Sequence, residues 1–376
     1  MEAGSWLSRE YWIRAARRVR HRVFLSAVGR LRAVMLFVDF PNAPASNAPE
    51  GYRDTEPYYR WFAPAIDWFK ASSYGRLDLE ITPIHKWYRM SKADSEYGFK
   101  RDVFTRNHHI EYIKEAVSLA DNDVDFSQYD IVYIVPSRNA LNITYSPTFI
   151  GGRHCPIVAD GKEIAYVVTF GRDMWRWGFK VLNHETGHIL GLPDLYAFKP
   201  KMVGSRRDIH YYVGGWDLMG WISGHAPDFF AWSKLKLGWI DENQVDVAFE
   251  KGTTEYHLTP IEISGDTKMV IIPSGPYMAY VAESRRPIVN DETAIDSGLL
   301  IYKVNIRIRS GRGPIRVIDA IPGEDKMPSR DLDHACFGIG EGRVDTFEDK
   351  KSGITVKVIK QDYNEDVIQV TRVLKT

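Results

Sequence analysis

The chain has 376 residues, 44% apolar and 13% aromatic, with 49 basic and 49 acidic side chains. Length and composition leave room for two domains, or one large domain with an appendage, and exclude a disordered chain. Zero net charge gives no global attraction to nucleic acid or a membrane surface. Two cysteines exclude a disulfide-stapled scaffold.

Residues 1–32 form a basic arm, with eight arginines (Arg9, Arg14, Arg17, Arg18, Arg20, Arg22, Arg30, Arg32) against Glu2 and Glu10. We read the arm as a solvated helix or the remnant of a leader or pro-segment; an anion-binding or membrane-surface arm is the alternative. VFLSAVGRLRAVMLFVDF is too short of apolar residues to span a membrane, since Arg30 and Arg32 interrupt it and Asp39 closes it. No uncharged apolar core follows a short basic start, so no clear signal peptide is expected.

RAVMLFVDF, residues 32–40, predicts a buried strand bounded by Pro41 and Asn42. EPYYRWFAPAIDWFKASSYG has helical spacing, with Trp61, Ala65, Trp68 and Phe69 on one side and Gly75 as a stop. RLDLEITPIHKWYRM alternates as a half-exposed strand, Leu77, Leu79 and Ile81 on one face. A helix is expected over residues 109–120, with further strands at 129–137 and 163–171. This alternation predicts a mixed sheet covered by helices. After about residue 243, short β-branched segments separated by Gly, Pro, Asp and Asn predict an all-β sandwich or barrel. The expected organisation is therefore an arm (1–32), a mixed-sheet domain with helices (33–243) and a β-sandwich (244–376). Cys155 and Cys336 can form one bridge or remain two buried thiols. The sequon Asn142-Ile143-Thr144 matters only in a eukaryotic secretory pathway.

LNHETGHILGLPDLY, residues 182–196, carries the chemistry. Residues 175–190 read as a helix with Trp177, Val181, Leu182 and Ile189 on an apolar face and Gly191 as terminator. Positions four apart share a face, so His184 and His188 can aim both imidazoles at one metal ion. Glu185 can reach a water at that metal, as a general base must. Gly191 permits a sharp turn, and Asp194 can then fold back as a third ligand. Three protein ligands on zinc leave a position for water, which points to hydrolysis at a carbonyl. The bland alternative is an amphipathic helix with two satisfied histidines.

GGWDLMGWISGHAPDFFAWSKLKLGWI places Met219 in a tight Asp-Leu-Met-Gly segment further along the chain. A methionine turn beneath the metal is a feature of the metzincin class, and an adaptable thioether suits a floor under imidazole rings. Other candidates read more blandly. His108 and His109 are expected to be a surface pair. His210, Tyr211 and Tyr212 are expected to pack or lie exposed, with a cleft wall as the alternative. Asp331, Asp333, Glu341 and Asp345 are expected to be solvated acids, with calcium binding as the alternative.

VMLFVDFP, SYGRLDLEI, HETGHILGLPDLY, WDLMG and APDFFAWSKLKLGWI together make residues 33–240 resemble the immune inhibitor A family of zinc metallopeptidases, which are metzincin-like. SGLLIYKVN and SGITVKVIK resemble, less specifically, the β-rich region that follows that catalytic domain. The resemblance implies an α+β fold class, with a mixed-sheet metzincin-like catalytic domain followed by an all-β sandwich. It implies a secreted zinc endopeptidase, usually made with a pro-segment and often with bound calcium. By position it implies His184, His188 and Asp194 as Zn2+ ligands, Glu185 as catalytic base and Met219 as the turn methionine. Ala197 departs from the family, which often carries another acid there. Expected partners are protein or peptide substrates, without nucleic acid or a membrane span, and the expected state is monomeric. Two rivals stand beside this reading. One is a binding or adhesion protein with a vestigial site; the other is a closed structural zinc, for which no cysteine lies near the helix.

Overall fold

The computed structural model describes residues 6–17, 23–100, 102–152 and 155–373. Glu2, Arg18, Arg20 and Arg22 of the basic arm lie outside the described residues. The protein is a mixed α+β chain that divides into two compact units, Arg20–Lys70 with Gly75–Gly191, and Met1–Val19 with Ala71–Tyr74 and Leu192–Thr376. No helix among the described residues is long and apolar enough to cross a membrane. Cys155 and Cys336 are both free and buried.

In the first of these units a five-stranded sheet runs in the order Leu77–Arg89, Gly29–Asp39, Ile131–Pro136, Tyr166–Thr169, Thr148–Ile150. Four strands are parallel; Thr148–Ile150 closes the edge antiparallel to its neighbour. Ile131–Pro136 is buried at every position, as a central parallel strand covered on both faces must be. Leu77–Arg89 alternates over its first half, with Leu77, Leu79 and Ile81 buried. Helix Arg106–Ala120 lays Tyr112, Ile113, Ala116 and Val117 against Val34, Leu36 and Val38.

Two expected helices are each interrupted. The first is split into Glu56–Phe62 and Pro64–Ser72, because Pro64 has no amide to carry the hydrogen-bond ladder. The stretch 175–190 is split into Met174–Trp177 and Lys180–Ile189 at Gly178, whose φ of 63° and ψ of −151° leave the helical region. The expected strand 163–171 shortens to Tyr166–Thr169, while Lys162–Glu163 pairs with Val158–Ala159 in a separate hairpin.

The other unit holds two sheets. Val245–Val247, Met269–Gly275, Met278–Arg285, Gly298–Asn305 and Ile315–Val317 form one; Gly252–Leu258, Asp366–Arg372, Ile354–Gln361 and Thr346–Asp349 form the second. Val270, Ile272, Ala282 and Ile301 of the first share a core with Ile354, Val356, Ile368 and Val370 of the second. The pair is a β-sandwich. The second sheet shows one face to solvent, since Ile354–Gln361 alternates in burial. Met278–Arg285, by contrast, is buried continuously from Ala279, so its sheet is covered on both faces.

The outer cover comes from residues 192–240. The Ala231 amide donates to the Glu283 carboxylate at 2.7 Å, and the Trp232 amide to the Tyr302 hydroxyl at 3.2 Å. Arg285 donates to the carbonyls of Trp216 and Ala226, both at 3.1 Å. These bonds bind the segment to the sheet, so the division between compact units falls at Gly191/Leu192 and not near residue 244. The N-terminal arm also differs from a solvated helix. Arg9–Ala16 buries Trp12, Ile13 and Ala16 on one face, and Trp12 meets Trp232 edge-on at 6.5 Å. Its arginines stay on the outer positions, and Arg17 pairs with Glu242 at 2.7 Å.

Candidate metal centre

Helix Lys180–Ile189 is held in rotation by polar groups on its inner face. The Asn183 side chain donates through Nδ2 to the Ala65 carbonyl at 3.2 Å, and Thr186 shares a buried hydrogen bond of 2.8 Å with the Tyr133 hydroxyl. The helix presents His184 and His188 one turn apart, with ring centroids at 4.9 Å and planes at 87°. It stops at Gly191, whose φ is 99°. A Cβ there would stand 3.2 Å from the Phe24 ring, so both backbone and space call for glycine. The chain then turns back to Asp194. One ligand atom from each of His184, His188 and Asp194 lies within 4.8 Å of the other two. All three belong to the continuous stretch 184–194, where helix and turn geometry bring them together.

Asp194 is clamped. Its amide donates to the Ser310 hydroxyl at 2.9 Å, and that hydroxyl donates to Asp194 Oδ2 at 2.9 Å. The Gly311 amide donates to the Asp194 carbonyl at 3.0 Å. The next residue, Leu195, donates its amide to the Met219 carbonyl at 2.9 Å, joining the Asp194 turn to the Met219 turn. Met219 is fully buried. Its turn is organised by Asp217, whose two carboxylate oxygens accept from the amides of Met219 at 2.7 Å and Phe230 at 2.9 Å. Burial raises the Asp217 carboxyl to about 8, against the pull of those two amides. His210 accompanies the turn, with Nδ1 bonded to the Gly220 carbonyl at 2.7 Å and its ring stacked on Trp221 at 4.6 Å. Tyr211 donates to the Lys199 carbonyl at 3.2 Å, and Tyr212 lies under the Arg316 guanidinium.

Glu185 points to the edge strand. Thr148 donates its hydroxyl to Glu185 Oε2 at 2.7 Å, and the same hydroxyl lies 3.0 Å from the Glu185 carbonyl. Protein atoms crowd the carboxyl, and this desolvation raises its pKa, while the imidazoles of His184 and His188 and the Thr148 hydroxyl pull it down.

Two imidazole nitrogens and a carboxylate oxygen converging this closely suit one divalent transition ion. Among the described residues this is the one group of three or more such side chains with convergent ligand atoms. Asp331, Asp333, Glu341 and Asp345 are not gathered: Asp331 accepts the amides of Gly323 and Asp325, Asp333 pairs with Arg330 and Asp345 faces Lys357. The expected surface pair His108 and His109 is half wrong. His108 caps its helix through Thr105, but His109 is 3% exposed, bonded to Thr169 at 2.9 Å and pushed down to about 3 by burial. It lies on the apolar side of a helix whose first turn alone reads as polar.

Sequence reasoning missed Thr148, Ser310 and Asp217. Asp217 carries a local signal, since an aspartate two residues before a tight turn's amide favours such a bond. Thr148 and Ser310 reach their partners over 37 and 116 residues, and no local pattern reveals them. No protein-family model matches the sequence, and no curated protein matches it.

Proposed function

We propose that the chain is a zinc-dependent endopeptidase of the immune inhibitor A type, hydrolysing peptide bonds in protein substrates. The reading is carried by the convergence of His184, His188 and Asp194 within 4.8 Å, with Glu185 on the same helix and set by Thr148. Three protein donors, with no fourth beside them among the described residues, suit a catalytic zinc better than a closed structural one. When bound, zinc supplies the Lewis acidity that makes water nucleophilic near neutral pH and stabilises charge on the scissile carbonyl oxygen.

Glu185, as the carboxylate, takes a proton from the attacking water and delivers it to the departing amine nitrogen. The C–O bond forms first, placing charge on the carbonyl oxygen, and the peptide C–N bond breaks afterwards as its nitrogen receives the proton. Thr148 holds the carboxylate through Oε2 and leaves Oε1 for this transfer. The strand carrying Thr148 closes its sheet, with no strand on its outer side among the described residues. An extended peptide can lengthen the sheet there through main-chain hydrogen bonds. An extracellular setting belongs to the same reading and rests on the resemblance alone.

The test is hydrolysis of labelled casein by zinc-loaded wild type and by Glu185→Gln at equal zinc content. The variant should be at least about a hundredfold slower while keeping its metal. Equal rates would refute the assignment of Glu185. Inactivity of both, with zinc bound, would favour the binding-protein reading.

A further inference from the structure

A cavity of ≈ 650 Å³ lies wholly within the unit that holds the sandwich, lined by the N-terminal helix Arg9–Ala16, helix Ala231–Leu237 and residues 304–308. Its size falls among sites for small organic ligands, which run from roughly 300 to 1,000 Å³. The wall is mainly apolar and includes Ala15, Trp232, Ile306 and Ile315. Among the described residues its only charged side chains are Arg14, Lys236 and Arg307, and no acidic one lines it.

None of these three cations has an acidic partner among the described residues. Arg14 and Arg307 are exposed, and Arg307 lies over the Tyr277 ring at 3.5 Å. Lys236 is only partly exposed, and burial lowers its pKa. An ammonium drawn into an apolar wall without a counter-charge costs free energy that an anion there would recover. The uncharged polar side chains on the wall, besides the Trp232 indole, are Tyr11, Ser233, Tyr277 and Asn305, and two are committed: the Tyr11 hydroxyl donates to the Pro276 carbonyl at 2.6 Å and Asn305 Oδ1 accepts from the Arg307 amide at 3.0 Å. A sugar or nucleotide would leave its polar edges unmatched on such a wall.

We propose that this cavity binds a small amphiphilic anion, a carboxylate on an alkyl or aryl body, with its headgroup among the three cations and its body against Trp232, Ile306 and Ile315. Charge complementarity selects the head, and the dry wall selects the body. The proposal does not depend on the peptidase reading.

Calorimetric titration of the full chain with decanoate, decanol and acetate tests it. Decanoate should bind at one site, decanol at least tenfold more weakly, and acetate without measurable heat. The double variant Lys236→Met, Arg307→Met should bind decanoate at least tenfold more weakly and decanol as wild type does. A melting curve matched to wild type excludes misfolding as the cause, and each single variant serves if the double one unfolds. Equal affinity for the acid and the alcohol would overturn the proposal. So would undiminished decanoate binding by the variants, or uptake at many sites.

Discussion

At Asp194 the carboxylate and its own amide are held by one hydroxyl, Ser310, which donates to the first and accepts from the second. Groups that orient a metal ligand govern affinity because they set the ligand's direction before the ion arrives. On the proposed zinc reading, Ser310→Ala should weaken zinc binding by about 10–100-fold, read by competition with a chromophoric chelator. An affinity within about twofold of wild type would show that the turn alone aims Asp194. His109 gives a pH dependence of another kind. Burial lowers its folded-state pKa to about 3, below its ordinary value of 6.5, so the folded protein keeps it neutral. As pH falls below 6.5, the unfolded chain takes up a proton that the folded chain refuses. The stability present above pH 6.5 is then lost toward pH 3, at up to about 1.4 kcal/mol per pH unit. His109→Gln, which can still bond to Thr169, should flatten the fall in denaturant midpoint between pH 7 and pH 4. An unchanged slope would assign that fall to other groups.

The site helix and its turn depend on where the helix stops. Gly191→Ala places a side chain at a φ of 99° and 3.2 Å from the Phe24 ring. The variant should lose about 1–3 kcal/mol of stability, and zinc affinity should fall with it because the turn returns Asp194 to the histidines. Thermal melts with and without zinc read both effects; an undisturbed melt would mean the turn relaxes freely. Element identity was legible here because its causes are local. The four-residue spacing of His184 and His188, the terminator Gly191 and the alternation Leu77, Leu79, Ile81 all act within one or two turns of chain. The interruptions at Pro64 and Gly178 were local signals too, overridden in reading by the apolar periodicity around them. Continuous burial of Met278–Arg285 was harder to read, because an apolar run shows that both faces are dry without showing what dries them.

Arg285 shows what holds residues 192–240 to the sandwich. It is fully buried and reaches Asp291 at 2.7 Å, Glu283 at 3.0 Å and the carbonyls of Trp216 and Ala226 at 3.1 Å. Arg285→Met leaves those carboxylates buried without their cation and should destabilise the protein by about 3–5 kcal/mol. Chemical denaturation measures this, and adding Glu283→Gln should restore part of the loss. A loss below about 1 kcal/mol would mean that water or proton uptake replaces the guanidinium. The same contacts explain why the units divide at Gly191/Leu192, although the change in sequence texture comes near residue 244. Texture records the secondary structure of each segment, whereas unit membership follows the surface on which the segment is buried. The sequence by itself determined the helix that carries His184, Glu185 and His188, the turn that returns Asp194, and the β-rich half, because periodicity and turn chemistry act between near neighbours. Only the tertiary structure decided that Thr148 sets Glu185, that Ser310 sets Asp194, and that a basic N-terminal helix buries Trp12. Those outcomes depend on packing between segments far apart in the chain, where the choice among dry surfaces is made by the whole fold.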